Sequence, residues 1–194
     1  MPVPMNSEEL HTQQSVSALQ YCLVRSFWSD ILSTAPQFPM PHIHEQIDFT
    51  VAIFVVHAGK VLVIHHKKLD RWLPLGGHIE LHEDPEQAAL RETLEESGLE
   101  VELLGERPPT TGPGTRALIA PRFLDIHRIS ETHEHIGMIY FARPKSGQGP
   151  AGQVTLAPAE HHQIRWCDSQ ELDALEPAMS DAVKFYCRTA IQEV

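Results

Sequence analysis

The chain has 194 residues, of which 42% are hydrophobic and 21% charged, a composition that supports one folded domain with or without an extension. Its formal net charge of -11 disfavours bulk nucleic acid and anionic membrane surfaces as partners, because its surface would on average repel them. A small anionic substrate remains compatible, since a divalent cation can reverse the local charge. The three cysteines, Cys22, Cys167 and Cys187, form no CxxC pair. Without a signal peptide or an apolar membrane span, we expect a cytoplasmic protein.

Residues 1–41 predict an N-terminal helix followed by a proline-rich connector. Leu19, Leu23, Phe27 and Ile31 recur at every fourth position, as on one face of a helix. Three prolines between residues 35 and 41 then end the pattern. We favour packing of this helix on the main domain, and a dimer contact or a lid is the alternative.

The main domain, residues 42–194, predicts alternating strands and helices. Strands are expected at 49–56, 61–65, 101–104, 123–129, 136–142 and 163–167, with a short edge segment at 72–74. Loops are expected at 75–78 and 105–120, and helices at 84–97, 169–175 and 178–192, the last with Val183, Tyr186 and Ile191 as candidate core contacts. This irregular order predicts an α/β fold, a mixed sheet sandwiched between helices.

The helix at 84–97 has the clearest boundaries in the sequence. Asp84 suits the N-cap, Pro85 the first helical position and Gln87 the third position of a capping box. Gly98 suits the left-handed residue that ends a helix. Both ends of this helix are therefore fixed by local chemistry.

Three carboxylates share one face of this helix. Glu92, Glu95 and Glu96 are spaced i, i+3 and i+4, so they lie together. We expect the roughly opposite face to pack on the sheet; it carries Leu90, Thr93, Leu94 and Ser97. Like charges repel at this spacing, and Arg91 relieves part of the repulsion.

A hard divalent cation would relieve the repulsion more fully. Mg²⁺ prefers carboxylate oxygens, with water and substrate phosphate completing its coordination. The preceding Gly76-Gly77 segment lets the backbone approach a ligand closely, and it leads to a helix N-terminus, which favours anions. The pattern predicts metal-assisted attack at phosphorus.

The segment from Gly77 to Leu99 resembles the Nudix box. The matching positions are Gly77, Glu83, Arg91, Glu92, Glu95, Glu96, Gly98 and Leu99, and the one departure is Thr93, where the family usually has an aliphatic residue. The similarity covers roughly Ile47 to Ile191. It implies the α/β/α sandwich of the MutT-like Nudix hydrolases and a pyrophosphohydrolase activity.

The resemblance also implies roles for individual residues. Glu95 and Glu96 are the expected Mg²⁺ ligands, with Mn²⁺ as a substitute ion and the carbonyl of Gly76 as a further ligand. Glu92 is expected to be a ligand or the base that activates water. Glu83 and Arg91 are expected to pair and lock the loop onto the helix, whereas a surface salt bridge of little energetic value is the simpler interpretation.

Residues outside the box are further candidates. Glu131 or Glu134, in the segment before a strand, could supply the base or another metal ligand, or this segment is an ordinary polar turn. The loop at 105–120 is expected to shape the pocket. Gly77, Arg116 and Arg122 are candidates for substrate contacts, the arginines with phosphate.

Thirteen histidines form several pairs, including His65-His66, His133-x-His135 and His161-His162. In a strand, His133 and His135 would share a face and could bind a transition metal together. Because no HExxH or Cys/His zinc pattern accompanies them, we favour separate surface or substrate-contacting histidines. Trp72 and Trp166 are expected in the core or at its rim rather than stacking on a base.

Three functions are compatible with these motifs. The first is hydrolysis of a nucleoside diphosphate linked to another moiety, such as an ADP-ribose-like compound, a dinucleotide or a modified nucleoside triphosphate. The second is a non-catalytic sensor of such a nucleotide, which the three intact glutamates disfavour. The third is hydrolysis of a non-nucleotide diphosphate. Many relatives dimerise, so a homodimer is a candidate assembly.

Overall fold

The computed structural model describes residues 44–109, 111–146 and 154–194. Its strands are β1 (Ile47–His57), β2 (Lys60–His66), β3 (Arg71–Leu73), β4 (Leu75–His78), β5 (Val101–Leu104), β6 (Phe123–Arg128), β7 (Glu134–Pro144) and β8 (His161–Cys167). Its helices are α1 (Pro85–Ser97), a 3₁₀ turn (Glu171–Ala174) and α2 (Asp181–Glu193). The predicted N-terminal helix and Cys22 lie outside the described residues.

The centre of the sheet is a parallel pair of long strands. β1 and β7 stay in register from Ile47 opposite Glu134 to Val55 opposite Ala142. The main path of the sheet runs β3-β2-β1-β7-β5, while β4 pairs with β1, β6 with β7 and β8 with β2. Because β1 is covered on both faces along much of its length, its sequence is almost continuously apolar, as expected for a central strand.

Two hydrophobic clusters cover the two faces of this sheet. One cluster lies on the α1 side and includes Val51, Ile53, Leu62, Ala88, Ala89 and Tyr140. The other lies on the α2 side and includes Phe54, Val56, Trp72, Phe141, Cys187 and Ala190. Alternation along β1 and β7 sends successive side chains to opposite faces. The predicted mixed sheet between helices is confirmed.

The prediction of a tight loop at residues 75–78 is wrong. These residues form β4, which pairs antiparallel with β1, Gly76 opposite Ala52 and Gly77 opposite Val51. Gly76 has φ of +147°, and a Cβ atom there would lie 2.1 Å from the carbonyl oxygen of Val51. The glycine therefore allows close packing of two strands, although its presence in the sequence suggested a turn.

The prediction for the packed face of α1 is half wrong. Thr93 and Ser97 are fully buried as expected, but Leu90 is 42% exposed and Leu94 is 51% exposed. The buried positions of the helix are Glu86, Ala88, Ala89, Thr93, Glu96 and Ser97. Most of these side chains are small, and the larger leucines are turned outward.

The remaining elements follow the predictions closely. β1 and β2 form the expected hairpin, and the predicted helix at 169–175 is a single 3₁₀ turn. Val183, Tyr186 and Ile191 pack against the α2-side cluster. Trp72 is buried and Trp166 packs against the α1-side cluster, as predicted. Among the described residues, no helix combines the length and apolar character needed to cross a membrane.

Candidate active site

The position of α1 is fixed by caps at both ends. The Asp84 carboxylate accepts hydrogen bonds from the backbone N–H groups of Glu86 and Gln87, and the Gln87 side chain accepts one from the Asp84 N–H. Gly98 ends the helix in the left-handed conformation, with its N–H donating to Leu94. Such caps typically contribute about 1 kcal/mol each. The predicted capping box and C-cap are confirmed, and they fix both ends of the helix that carries the glutamates.

Two glutamates of α1, Glu92 and Glu96, lie against β4. Gly76 donates its N–H to the Glu96 Oε2 atom over 2.8 Å. A Cβ atom on Gly77 would lie 2.3 Å from the Glu92 Oε1 atom, so a larger residue there would displace this carboxylate. The two adjacent glycines therefore serve different contacts, one with β1 and Glu96 and the other with Glu92.

The three carboxylates have different environments. The side chain of Glu96 is 5% exposed, that of Glu92 15% and that of Glu95 58%. Burial raises the pKa of Glu92 to about 7, against the lowering effect of its contact with Arg91. Burial also raises the pKa of Glu96, which hydrogen bonds from His161 and Gly76 partly offset. Partly desolvated carboxylates at one place favour a bound cation.

Arg91 connects the loop after β4 to the helix. Its Nη2 and Nε atoms donate to the Glu83 carboxylate over 2.5 Å and 3.0 Å. Its Nη1 atom donates to Glu92 over 2.8 Å and to Glu95 over 3.1 Å, and Nη2 also reaches the carbonyl of His78. These hydrogen bonds, that with Glu83 first, raise the pKa of Arg91 further. Arg91 thus offsets part of the charge on the acidic face, as the sequence suggested.

The structure adds two residues that the sequence did not connect with the box. The His161 Nε2 atom lies 2.9 Å from the Glu96 Oε1 atom, and both side chains are buried. Ligand atoms of Glu96, Glu160 and His161 lie within 4.8 Å of one another, so these residues could hold a metal ion. Glu160 directly precedes β8, which reaches the site only through its pairing with β2. No spacing rule in the sequence links this strand to the helix.

Several predicted site residues lie elsewhere. Arg116 pairs with Asp84 at the start of α1, about 18 Å along the helix from Glu96. Arg122 binds Glu193 over 2.8 Å through two hydrogen bonds. Glu134 begins β7 opposite Ile47, about 13 Å along the strand from the position opposite Gly77. The structure does not bring these residues to the carboxylates.

This arrangement is that of the Nudix class: a mixed sheet between helices, with the acidic helix of the box set against a glycine strand. The chain belongs to the NUDIX family, because the model of the NUDIX domain matches residues 47–189. It is accordingly an enzyme of the Nudix pyrophosphohydrolase type, a family that generally acts on nucleoside diphosphates linked to other moieties.

Solved structures agree with this assignment. A hydrolase of the NUDIX family from Clostridium perfringens is 29% identical, with a TM-score of 0.63 over 77% of this chain and 98% of that one. A MutT NUDIX hydrolase from Burkholderia pseudomallei shares the fold at 22% identity, with a TM-score of 0.53 over 77% and 99%. A C. elegans Ap4A hydrolase shares the fold at 18% identity, with a TM-score of 0.50 over 74% and 93%. No curated protein matches the sequence significantly.

Proposed function

We propose that this enzyme is a Mg²⁺-dependent hydrolase that cleaves the diphosphate bond of a nucleoside diphosphate joined to another group. The observation that carries the proposal is the convergence of the partly buried Glu92 and the buried Glu96 carboxylates on the edge formed by Gly76 and Gly77. Removing carboxylates from water costs free energy, and a protein that only binds its ligand would gain little from it. A metal-dependent enzyme that acts on phosphate groups needs such carboxylates to hold its ion.

The donor set fits a hard cation. Glu95 and Glu96 would hold it, with Glu160 and the carbonyl of Gly76 as further oxygen donors, which leaves Glu92 as the base. Mn²⁺ could substitute, since it accepts the same ligands. When bound, the ion would polarise the phosphoryl oxygens, orient the leaving group and lower the pKa of a bound water.

The reaction would be an in-line displacement at one phosphorus. The water oxygen forms a bond to phosphorus while the bond from phosphorus to the bridging oxygen breaks, and the bridging oxygen leaves on the second phosphate. Glu92 would accept the water proton; a pKa near neutrality suits a group that must both take and release a proton. Arg91, fixed by Glu83, would hold Glu92 in position through its 2.8 Å hydrogen bond.

His161 would position Glu96 rather than contact the substrate. Its Nε2 atom and the Gly76 N–H bind the two different oxygens of that carboxylate. With both oxygens oriented, the carboxylate loses little further conformational freedom when it binds a cation.

The first experiment is product analysis with the purified chain, Mg²⁺ and a panel of nucleoside diphosphate derivatives, dinucleotides, modified nucleoside triphosphates and non-nucleotide diphosphates. We expect selective turnover to two phosphate-bearing products, with label from ¹⁸O-water in only one of them. Glu96→Gln should reduce kcat on the order of 1000-fold, because a metal ligand supports about 4 kcal/mol of transition-state stabilisation. Glu100→Gln, which alters only an exposed pair with Lys145, is the matched control.

A different result would favour the sensor. If no member of the panel is hydrolysed while a nucleotide raises the melting temperature of the protein, binding without chemistry is the better account. Turnover of the non-nucleotide diphosphates alone would retain the reaction and replace the substrate class.

A further inference from the structure

A second group of metal-binding side chains lies on the sheet face opposite the glutamates. In β1, the odd-numbered Val51 and Ile53 face α1, and the even-numbered Phe54 faces α2. Because successive side chains of a strand alternate between its faces, Asp48 lies on the α2 side with Phe54. His135 pairs with Asp48 across the parallel ladder, and His133 has the same parity as His135. In β4, Gly77 faces Glu92, so His78 also faces the α2 side.

The spacing of the donor atoms suits a tetrahedral ion. The Asp48 Oδ2 atom lies 3.2 Å from the His133 Nε2 atom and 3.3 Å from the His78 Nε2 atom. Ligands about 2.0–2.1 Å from a tetrahedral Zn²⁺ are about 3.3 Å from one another. Ligand atoms of Asp48, His133 and His135 all lie within 4.8 Å of each other.

The outer contacts orient these side chains in the way that metal ligands require. The His44 N–H donates to the Asp48 Oδ1 atom over 2.7 Å, which turns the Oδ2 atom toward the imidazoles. The His133 Nδ1 atom lies 3.4 Å from the carbonyl oxygen of Glu45. A histidine whose Nδ1–H faces a backbone carbonyl presents its Nε2 lone pair to a metal, and such outer contacts commonly accompany ligating histidines.

The burial of the cluster agrees with this orientation. Asp48 and His133 are buried, so their positions are fixed by the surrounding protein rather than by solvent. The sequence favoured separate surface histidines here, but His133 is buried beside a carboxylate.

We propose that Asp48, His133 and His135 bind one transition-metal ion, Zn²⁺ before others, that joins the starts of β1 and β7. Two imidazoles and one carboxylate suit Zn²⁺ better than Mg²⁺, which prefers oxygen ligands. The site does not depend on the proposed hydrolysis.

The experiment uses the full chain without an affinity tag, loaded with Zn²⁺ in excess Mg²⁺ and freed of loose metal by gel filtration. We expect one retained Zn²⁺ per chain and a higher melting temperature than for the metal-free protein. His133→Gln and His135→Gln should weaken Zn²⁺ binding at least about 100-fold. Glu96→Gln should retain the ion, which separates this site from the carboxylates. His57→Gln, at the other end of β1, is the matched control.

Replacement of Zn²⁺ by Co²⁺ gives a readout on the unmodified chain. An intense visible absorption, as for tetrahedral cobalt, supports the site even if a histidine variant fails to fold. A weak octahedral spectrum contradicts it. The proposal is also overturned if no Zn²⁺ is retained, or if Glu96→Gln loses the ion while His133→Gln keeps it.

Discussion

The two faces of one sheet offer different ligand chemistry. On the α1 side, Glu92 and Glu96 present carboxylate oxygens beside β4. On the α2 side, His133 and His135 present imidazole nitrogens around Asp48. The alternation of side chains along a strand separates these sets, although Gly77 and His78 are neighbours in the sequence. One sheet can therefore contribute to a hard-cation site on one face and to a softer one on the other.

After Glu96→Gln, the largest effect that separates the two faces is expected from Gly77→Ala. The added methyl group would lie 2.3 Å from the Glu92 Oε1 atom and push this carboxylate away. Because a displacement of about 1 Å at a reacting group can cost on the order of 100-fold in rate, we expect a loss of that size in kcat. Steady-state kinetics and Zn²⁺ retention should be measured together, and the latter should not change.

The control for this variant is Gly112→Ala, where an added methyl group meets no atom within 4 Å. Its kcat should equal that of the unmodified protein. Equal activity of Gly77→Ala would contradict the assigned position of Glu92.

An intermediate effect is expected from Glu83→Gln, which weakens the connection between the loop and α1. The hydrogen bond from Arg91 lowers the pKa of Glu83 below its ordinary 4.5. The carboxylate therefore stabilises the fold above pH 4.5, and this stabilisation is lost as the pH falls through the lower pKa of the folded state. We expect the variant to lose about 1–3 kcal/mol at neutral pH and the difference to vanish at acidic pH.

Denaturant unfolding across this pH range measures the effect. Glu102→Gln, which removes an exposed partner of Arg143, should change stability by less than about 0.5 kcal/mol. A difference for Glu83→Gln that does not depend on pH would show that the carboxylate charge is not its cause.

The smallest effect tests which side of α1 faces the sheet. Leu94 is 51% exposed, so Leu94→Lys should change the free energy of unfolding by less than about 0.5 kcal/mol. Ala89 is fully buried, so Ala89→Leu should cost about 1–3 kcal/mol through overpacking. Thermal unfolding of the two variants compares them, and the reverse order would restore the helix orientation predicted from the sequence.

Local chemistry allowed the helix to be predicted, because its caps and its glutamates are set within a few residues. The same local reasoning failed for β4, because a glycine in the sequence is equally compatible with a turn and with close packing of two strands. It also misjudged Leu90 and Leu94, because the sheet selects small side chains for the buried face. Strand pairing brings His161 to Glu96 and His133 to Asp48. These pairings join segments that are far apart in the chain, so local sequence patterns do not predict them.

The parallel pairing of β1 with β7 has a consequence for how the chain folds. Val55 finds its partner Ala142 only after most of the domain has been synthesised. During translation, the hairpin of β1 and β2 can form early, whereas the other edge of β1 stays unpaired until β7 has been synthesised. Pairings between such distant segments slow folding and leave strand edges open to aggregation. The nascent chain should thus be most dependent on chaperones between the emergence of β1 and that of β7.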